Sequence, residues 1–186
     1  MNPRPPHRHL RALLLAGAVA LLTACATPPG IPETTWHRLP AASAPAKLNT
    51  PSALPIVVQR MEADGLHADQ ALLYALDPSG DRLRAYHYNL WVDPPGYLLQ
   101  RRMVQRLRAA GAAERVTDHL PGRPAALWVS GRIERFERVP HAGGGFEAQV
   151  SLRLRVSSRD GRLPLVDGEY AASSTAGDDS LAASVA

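Results

Sequence analysis

The stretch from Phe146 to Val156 constrains the fold of this chain more than any other. Phe146, Ala148, Val150, Leu152, Leu154 and Val156 alternate without a break with Glu147, Gln149, Ser151, Arg153 and Arg155. Successive side chains of a strand point to opposite faces, so this run separates an apolar from a polar face only as a β-strand. A second long strand is expected over residues 126–139, joined to it through the tip His141-Ala142-Gly143-Gly144-Gly145. On the far side, Arg159-Asp160-Gly161-Arg162 turns the chain into a last strand at about residues 163–174.

Upstream, the elements are shorter. Residues 56–61 are a strand candidate, and residues 66–70 a single helical turn. Residues 71–76 and 82–86 form a hairpin across Asp77-Pro78-Ser79-Gly80, whose residue types suit a turn. Asp93-Pro94-Pro95 opens a helix: aspartate serves as a cap, and proline is preorganised for the first turn. Leu99, Met103, Val104, Leu107 and Ala110 form its apolar stripe, with Arg101, Arg102, Arg106 and Arg108 on the solvated remainder and Gly111 closing it. The fold class that follows is α+β, a mostly antiparallel sheet with one main helix, about 94–110, packed on it. No internal repeat is present. The 186 residues fit one domain with a tail, long enough to bury a core without staples.

The N-terminus is of another kind. Arg4, Arg8 and Arg11 precede an apolar run from Ala12 to Leu22, which is short against the roughly 20 residues of a membrane-spanning helix. A basic stretch before such a run is the layout of a secretory signal peptide, assigned here to residues 1–24. The run ends in Leu22-Thr23-Ala24-Cys25, a bacterial lipobox. Small residues admit the scissile bond to the peptidase, and the Cys25 thiol is nucleophilic enough to take a thioether-linked diacylglycerol. Cys25 then becomes the first residue, with an N-acyl chain added. Two or three chains anchor durably, because each buried CH₂ contributes about 0.8 kcal/mol. Ala26 stands where an aspartate would retain a lipoprotein in the inner membrane, so the expected address is the periplasmic face of the outer membrane.

After Cys25, residues 26–55 carry seven prolines among Ala, Ser and Thr, which is extended material. Within it, residues 34–39 read as a short strand. If that strand joins the sheet, the tether is residues 25–33, its eight residues after the cysteine reaching at most about 28 Å. Otherwise the tether runs to about 54. Residues 34–186 form the domain.

Charge and chemistry exclude more than they suggest. The net charge of +4 is mostly the signal segment: with its three arginines removed, 18 basic face 17 acidic residues. A nearly neutral body is no electrostatic trap for nucleic acid. The only cysteine is committed to lipid, so neither a disulfide framework nor a cysteine zinc cluster is available. The histidines have no metal-binding spacing, Gly143-Gly144-Gly145 lacks the Lys-Ser/Thr of a phosphate loop, and no nucleophile elbow occurs. Asp93, Glu134 and Glu137 read as a cap and exposed strand positions, and Glu134, Arg135, Glu137 and Arg138 as mixed charges on a solvated face. The chain is expected to be no enzyme, with no metal and no cofactor beyond its covalent lipid.

Several motifs, in order, resemble the ABC-type transport auxiliary lipoprotein family, the PqiC-like proteins. They are the lipobox; Trp36-His37-Arg38-Leu39 at an aromatic first strand; and Tyr86 through Trp91-Val92-Asp93-Pro94-Pro95, running into the helix. Ile133-Glu134-Arg135-Phe136-Glu137 follows, and then the long alternating strand. The likeness spans about 34–185. It implies a non-enzymatic, lipid-anchored accessory component of an MCE-domain system that carries lipid between inner and outer membranes. Its implied partners are the periplasmic MCE-domain protein and its ABC transporter, and homo-oligomerisation stays open. The family also closes with an amphipathic C-terminal helix; here Asp178-Asp179 would cap only the stub from Leu181 to Ala186. The region 56–76 also lacks the proline-containing link expected between the early strands. The alternative is an outer-membrane lipoprotein that assists outer-membrane assembly or itself holds a small apolar ligand.

Overall fold

The computed structural model describes Gly30 and residues 32–122, 124–158 and 164–175. The signal segment, the expected turn at residues 159–162 and the expected stub at 181–186 lie outside these residues. The unit Thr34–Ala186 contains β1 (Thr35–His37), β2 (Ile56–Val58), β3 (Ala71–Ala75), β4 (Leu83–Trp91), α1 (Pro95–Ala110), β5 (Val116–Thr117), β6 (Leu127–Pro140), β7 (Phe146–Ser157) and β8 (Val166–Thr175). A 3-10 turn at Gly65–Ala68 stands where the single helical turn was expected.

The alternating run is β7, and it is the spine of the antiparallel part. It pairs antiparallel along its whole length with β6 on one side and with β8 on the other. The opposite edge of β6 is shared by two short parallel neighbours, β2 along its first residues and β3 near its end. Outward from these, β2 pairs parallel with β5, β3 pairs antiparallel with β4, and β4 pairs parallel with β1. The sheet is therefore mixed, with its two longest ladders antiparallel.

Helix α1 packs on one face of this sheet, and the packing explains which residues are apolar. Ile56 and Val58 of β2, Val129, Ile133 and Phe136 of β6, and Leu98 and Val104 of α1 form one core with Met61, Leu72 and Trp91. Val57 belongs to the opposite face, where it meets Leu120, Ala126 and Trp128. All three residues of β2 are buried because it lies between β5 and β6, covered on both faces. Two glycines set the closeness of this packing. A Cβ on Gly131 would lie 2.8 Å from Met61 Sδ and 2.7 Å from Leu154 Cδ2, and one on Gly96 would strike the Met61 carbonyl. Met61 fills the slot that Gly131 leaves, at 1% exposure.

Three expectations are corrected by the geometry. The first is the cap: the helix starts one residue later than the aspartate requires, with Pro94 at the cap position and its carbonyl accepting from the Leu98 amide at 3.2 Å. Asp93 is left to pair with Arg101. Gly111 does close the helix, in the left-handed conformation at φ 66°.

The second concerns the helix arginines. Arg102 donates to the Pro40 carbonyl, Arg106 to the Ser43 carbonyl and Arg108 to the Val116 carbonyl, the last at 2.7 Å. The Arg102 and Arg106 bonds, together with Leu48 N–H to Ala110 O (2.9 Å) and Ser52 N–H to Ala112 O (2.7 Å), fasten the proline-rich chain along α1, while Arg108 ties the helix to β5. Proline removes the amides that a ladder would need, so side-chain donors take over its carbonyls. Residues 40–54 are thus docked chain, while β1 joins the sheet beside β4.

The third concerns Glu137 and Arg138, which are buried rather than solvated. The register against β7 slips between Ile133 and Arg135, leaving Glu134 as the extra residue of a bulge. Before the bulge the odd residues Val129 and Ile133 face α1; after it, Phe136 and Arg138 share the face of Val150 and Ala148. One inserted residue exchanges the two faces of everything downstream.

Candidate functional site

The bulge places Arg138 on the wall of a groove between the sheet, α1 and the docked chain. The groove encloses about 500 Å³ and is lined by residues 39–43, by Leu72, Trp91, Leu99, Phe136 and Val150, and by Arg102 and Arg138, with Ala172 and Ser174 of β8 along one side. The Trp91 and Phe136 rings sit 5.1 Å apart, tilted by 33°. These apolar groups come from β3, β4, α1, β6 and β7, so five elements must fold before the groove exists.

Its charged lining carries both signs, Arg102 and Arg138 together with Glu137. The Arg138 guanidinium lies over the Phe146 ring, 3.6 Å from the centroid, and donates to the Tyr86 hydroxyl at 3.2 Å. Tyr86 stacks in turn against Tyr74, 4.5 Å between ring centroids. A cation over a ring face is attracted by its quadrupole, which helps a guanidinium tolerate 8% exposure. Glu137, buried beside it, is held by two neighbours of its own. Its Oε2 accepts the Phe136 amide and stands 3.1 Å from His67 Nε2 on the 3-10 turn. The carboxylate thus satisfies an amide beside the bulge and clips the turn to the sheet.

None of the lipidation residues read from the sequence falls among the described residues: Leu22, Thr23, Ala24, Cys25 and Ala26 all precede them. Sequence reasoning missed the groove because its lining is scattered over five elements. One signal was available: in Phe136-Glu137-Arg138-Val139, two charges interrupt an apolar rhythm in a long strand, which is where a bulge re-aims side chains. Among the described residues no cluster of three or more His, Cys, Asp or Glu could hold a metal ion, and no helix is long and apolar enough to cross a membrane.

With the fold in view, the class of protein can be stated. Residues 37–186 match the model of the family described as the ABC-type transport auxiliary lipoprotein component, and the chain belongs to that family. A crystal structure of a Xanthomonas campestris protein of the DUF330 family is similar, with TM-score 0.68 and 16% identity, covering 81% of this chain and 84% of that one. A second crystal structure, of an uncharacterised protein, gives TM-score 0.60 and 15% identity over 83% and 88% of the two chains. At such identities these likenesses show the fold alone. No curated protein matches significantly. Family membership makes this chain a lipoprotein auxiliary to an ABC-type transport system, located in the cell envelope.

Proposed function

We propose that the protein is a periplasm-facing, outer-membrane lipoprotein that docks an MCE-type ABC lipid transport system, and that it is an adaptor rather than an enzyme. The observation that carries this reading is the family match over residues 37–186 directly downstream of the lipobox Leu22-Thr23-Ala24-Cys25. Diacylglycerol and an N-acyl chain on Cys25 fix one end to the membrane, and Ala26 directs the anchor outward. The folded sheet and α1 then present a protein surface to an MCE-domain partner that delivers or accepts lipid. The adaptor needs no cofactor besides its acyl chains, and its loss weakens envelope integrity.

In-vivo crosslinking of the tagged full-length lipoprotein, with partners read by mass spectrometry, tests this. Recovery of an MCE-domain protein or its transporter subunits is expected. Recovery of barrel-assembly or cell-wall proteins alone refutes the transport role. Cys25→Ala is expected to empty the membrane fraction of mature protein, and an unchanged membrane fraction would sink the anchor.

A further inference from the structure

The β1 end of the sheet carries an uncovered apolar face of its own. Trp36 on β1 is the register partner of Leu90 on β4, and His37 that of Trp91. Trp91 is buried in the core beneath α1, so alternation turns Trp36 and Leu90 to the opposite face. Tyr88 joins them there, because Asn89 between the two points the other way, its Oδ1 3.0 Å from His37 Nε2. Trp36 is 52% exposed and Tyr88 43%, and β1 is the last strand on this side of the sheet among the described residues. Single exposed apolar residues are ordinary, but an indole and a phenol on neighbouring strands make a patch.

Where the chain comes from decides what this patch meets. In the anchored reading, on which the inference rests, Cys25 holds two or three acyl chains in the bilayer. Residues 26–33 then lead directly to the strand that carries Trp36, spanning at most about 28 Å in any conformation. Trp and Tyr are the side chains enriched at membrane–water interfaces, where the ring sits in apolar material and the N–H or O–H stays wet. The acyl chains hold the patch at high effective concentration over the lipid, so a surface too small to bind alone still orients the domain. Charge adds little, since along residues 32–39 Glu33 offsets Arg38. We infer that the face of Trp36, Tyr88 and Leu90 is a second membrane contact, seated among the lipid headgroups and docking the β1 edge against the bilayer that holds the anchor. Because α1 packs on the opposite face, this seating turns the helix toward the periplasm.

The test uses the full-length, lipidated protein in vesicles of phosphatidylethanolamine and phosphatidylglycerol whose acyl chains carry bromine, a quencher of indole fluorescence. Trp36 emission is expected to be quenched relative to the same vesicles without bromine. Trp36→Phe should abolish the quenching, because the remaining Trp91 and Trp128 are packed within the protein. In that background Tyr88→Trp should restore it, whereas Tyr170→Trp on β8 should not. All three positions are exposed, so the variants keep the fold. Trp36 emission indifferent to bromine, or equal quenching from Tyr88→Trp and Tyr170→Trp, would overturn the inference. So would a Trp36 shielded from aqueous iodide only when a protein partner is added, which would assign the face to that partner. Sedimentation of the same vesicles keeps the two readings apart. Protein that sediments with lipid but shows no quenching keeps its anchor and loses only this contact; protein that fails to sediment loses both.

Discussion

Under α1, β2 and the Met61 slot beside β6 are packed to exclusion, with Val58 at 0% and Met61 at 1% exposure. Two strands away, on β8, Tyr170 and Val166 are exposed at 51% and 40%, although they stand opposite Leu152 and Val156 on the same face of the sheet. The two regions share one backbone pattern and differ in what lies above them. A helix is about 10 Å across and strands are about 4.8 Å apart, so one helix shelters roughly two strands. Period-two alternation therefore decides which face a residue occupies, and the second layer decides whether that face is dry. The β7 residues Leu152 and Leu154 record the gradient, half-buried between the two extremes.

The contrast is broken most sharply by mutation at its dry end. Met61→Ala removes a fully buried side chain from the slot beside Gly131 and should cost about 2–5 kcal/mol. Gly96→Ala should be comparably damaging, because its Cβ has nowhere to go but into the Met61 carbonyl. Tyr170→Ala, at the wet end, should stay within about 0.5 kcal/mol. Urea unfolding followed by circular dichroism measures all three. Similar losses at Met61 and Tyr170 would show that the β8 face is covered in the folded protein.

A smaller effect is expected at the boundary between the two regions, where the bulge turns β6 over. Glu137→Leu strands the Phe136 amide and releases His67, for a loss of about 1–3 kcal/mol, the cost of leaving a buried donor unsatisfied. His67→Ala should cost less, because it leaves the amide bond in place. Hydrogen exchange at Phe136 distinguishes the two: the amide should lose protection in Glu137→Leu and keep it in His67→Ala. Equal exchange in both variants would mean that the carboxylate does not hold the amide.

What the sequence made legible follows the same division. The strand β7, the hairpin β3–β4, the helix and its Gly111 stop were readable because each is written in local periodicity or in turn and cap residues. The strand at Thr35–His37 was readable from its aromatic and β-branched cluster. What escaped depends on long-range geometry. No local signal tells that Arg102 and Arg106 will find the carbonyls of Pro40 and Ser43, some sixty residues earlier. The burial of Arg138 depends on a one-residue slip against β7, and so does the groove it lines. The lipobox reading needs only the four consecutive residues Leu22-Thr23-Ala24-Cys25, which lie outside the described residues.

The smallest effect belongs to the β3–β4 turn, which is wet like β8 and stabilised by its own polar groups instead of by a core. Asp77 accepts from the Ser79 hydroxyl and from Arg82 Nε at 3.0 Å, and these bonds hold its carboxyl below the ordinary aspartate value of 3.8, the Ser79 bond contributing most. A carboxyl lowered on folding adds stability that is fully present above the unfolded pKa and is lost as pH falls through the folded one. Stability between pH 5 and 7 should therefore be flat with respect to Asp77, with a shallow decline opening below about pH 4. Asp77→Asn should remove that part of the acid limb while leaving the midpoint of unfolding near neutral pH only slightly lower, since exposed pairs contribute little. An Asp77→Asn protein whose acid limb matched the wild type down to pH 2 would show that the turn adds nothing of its own, and that even this wet corner is held by the buried strands beneath it.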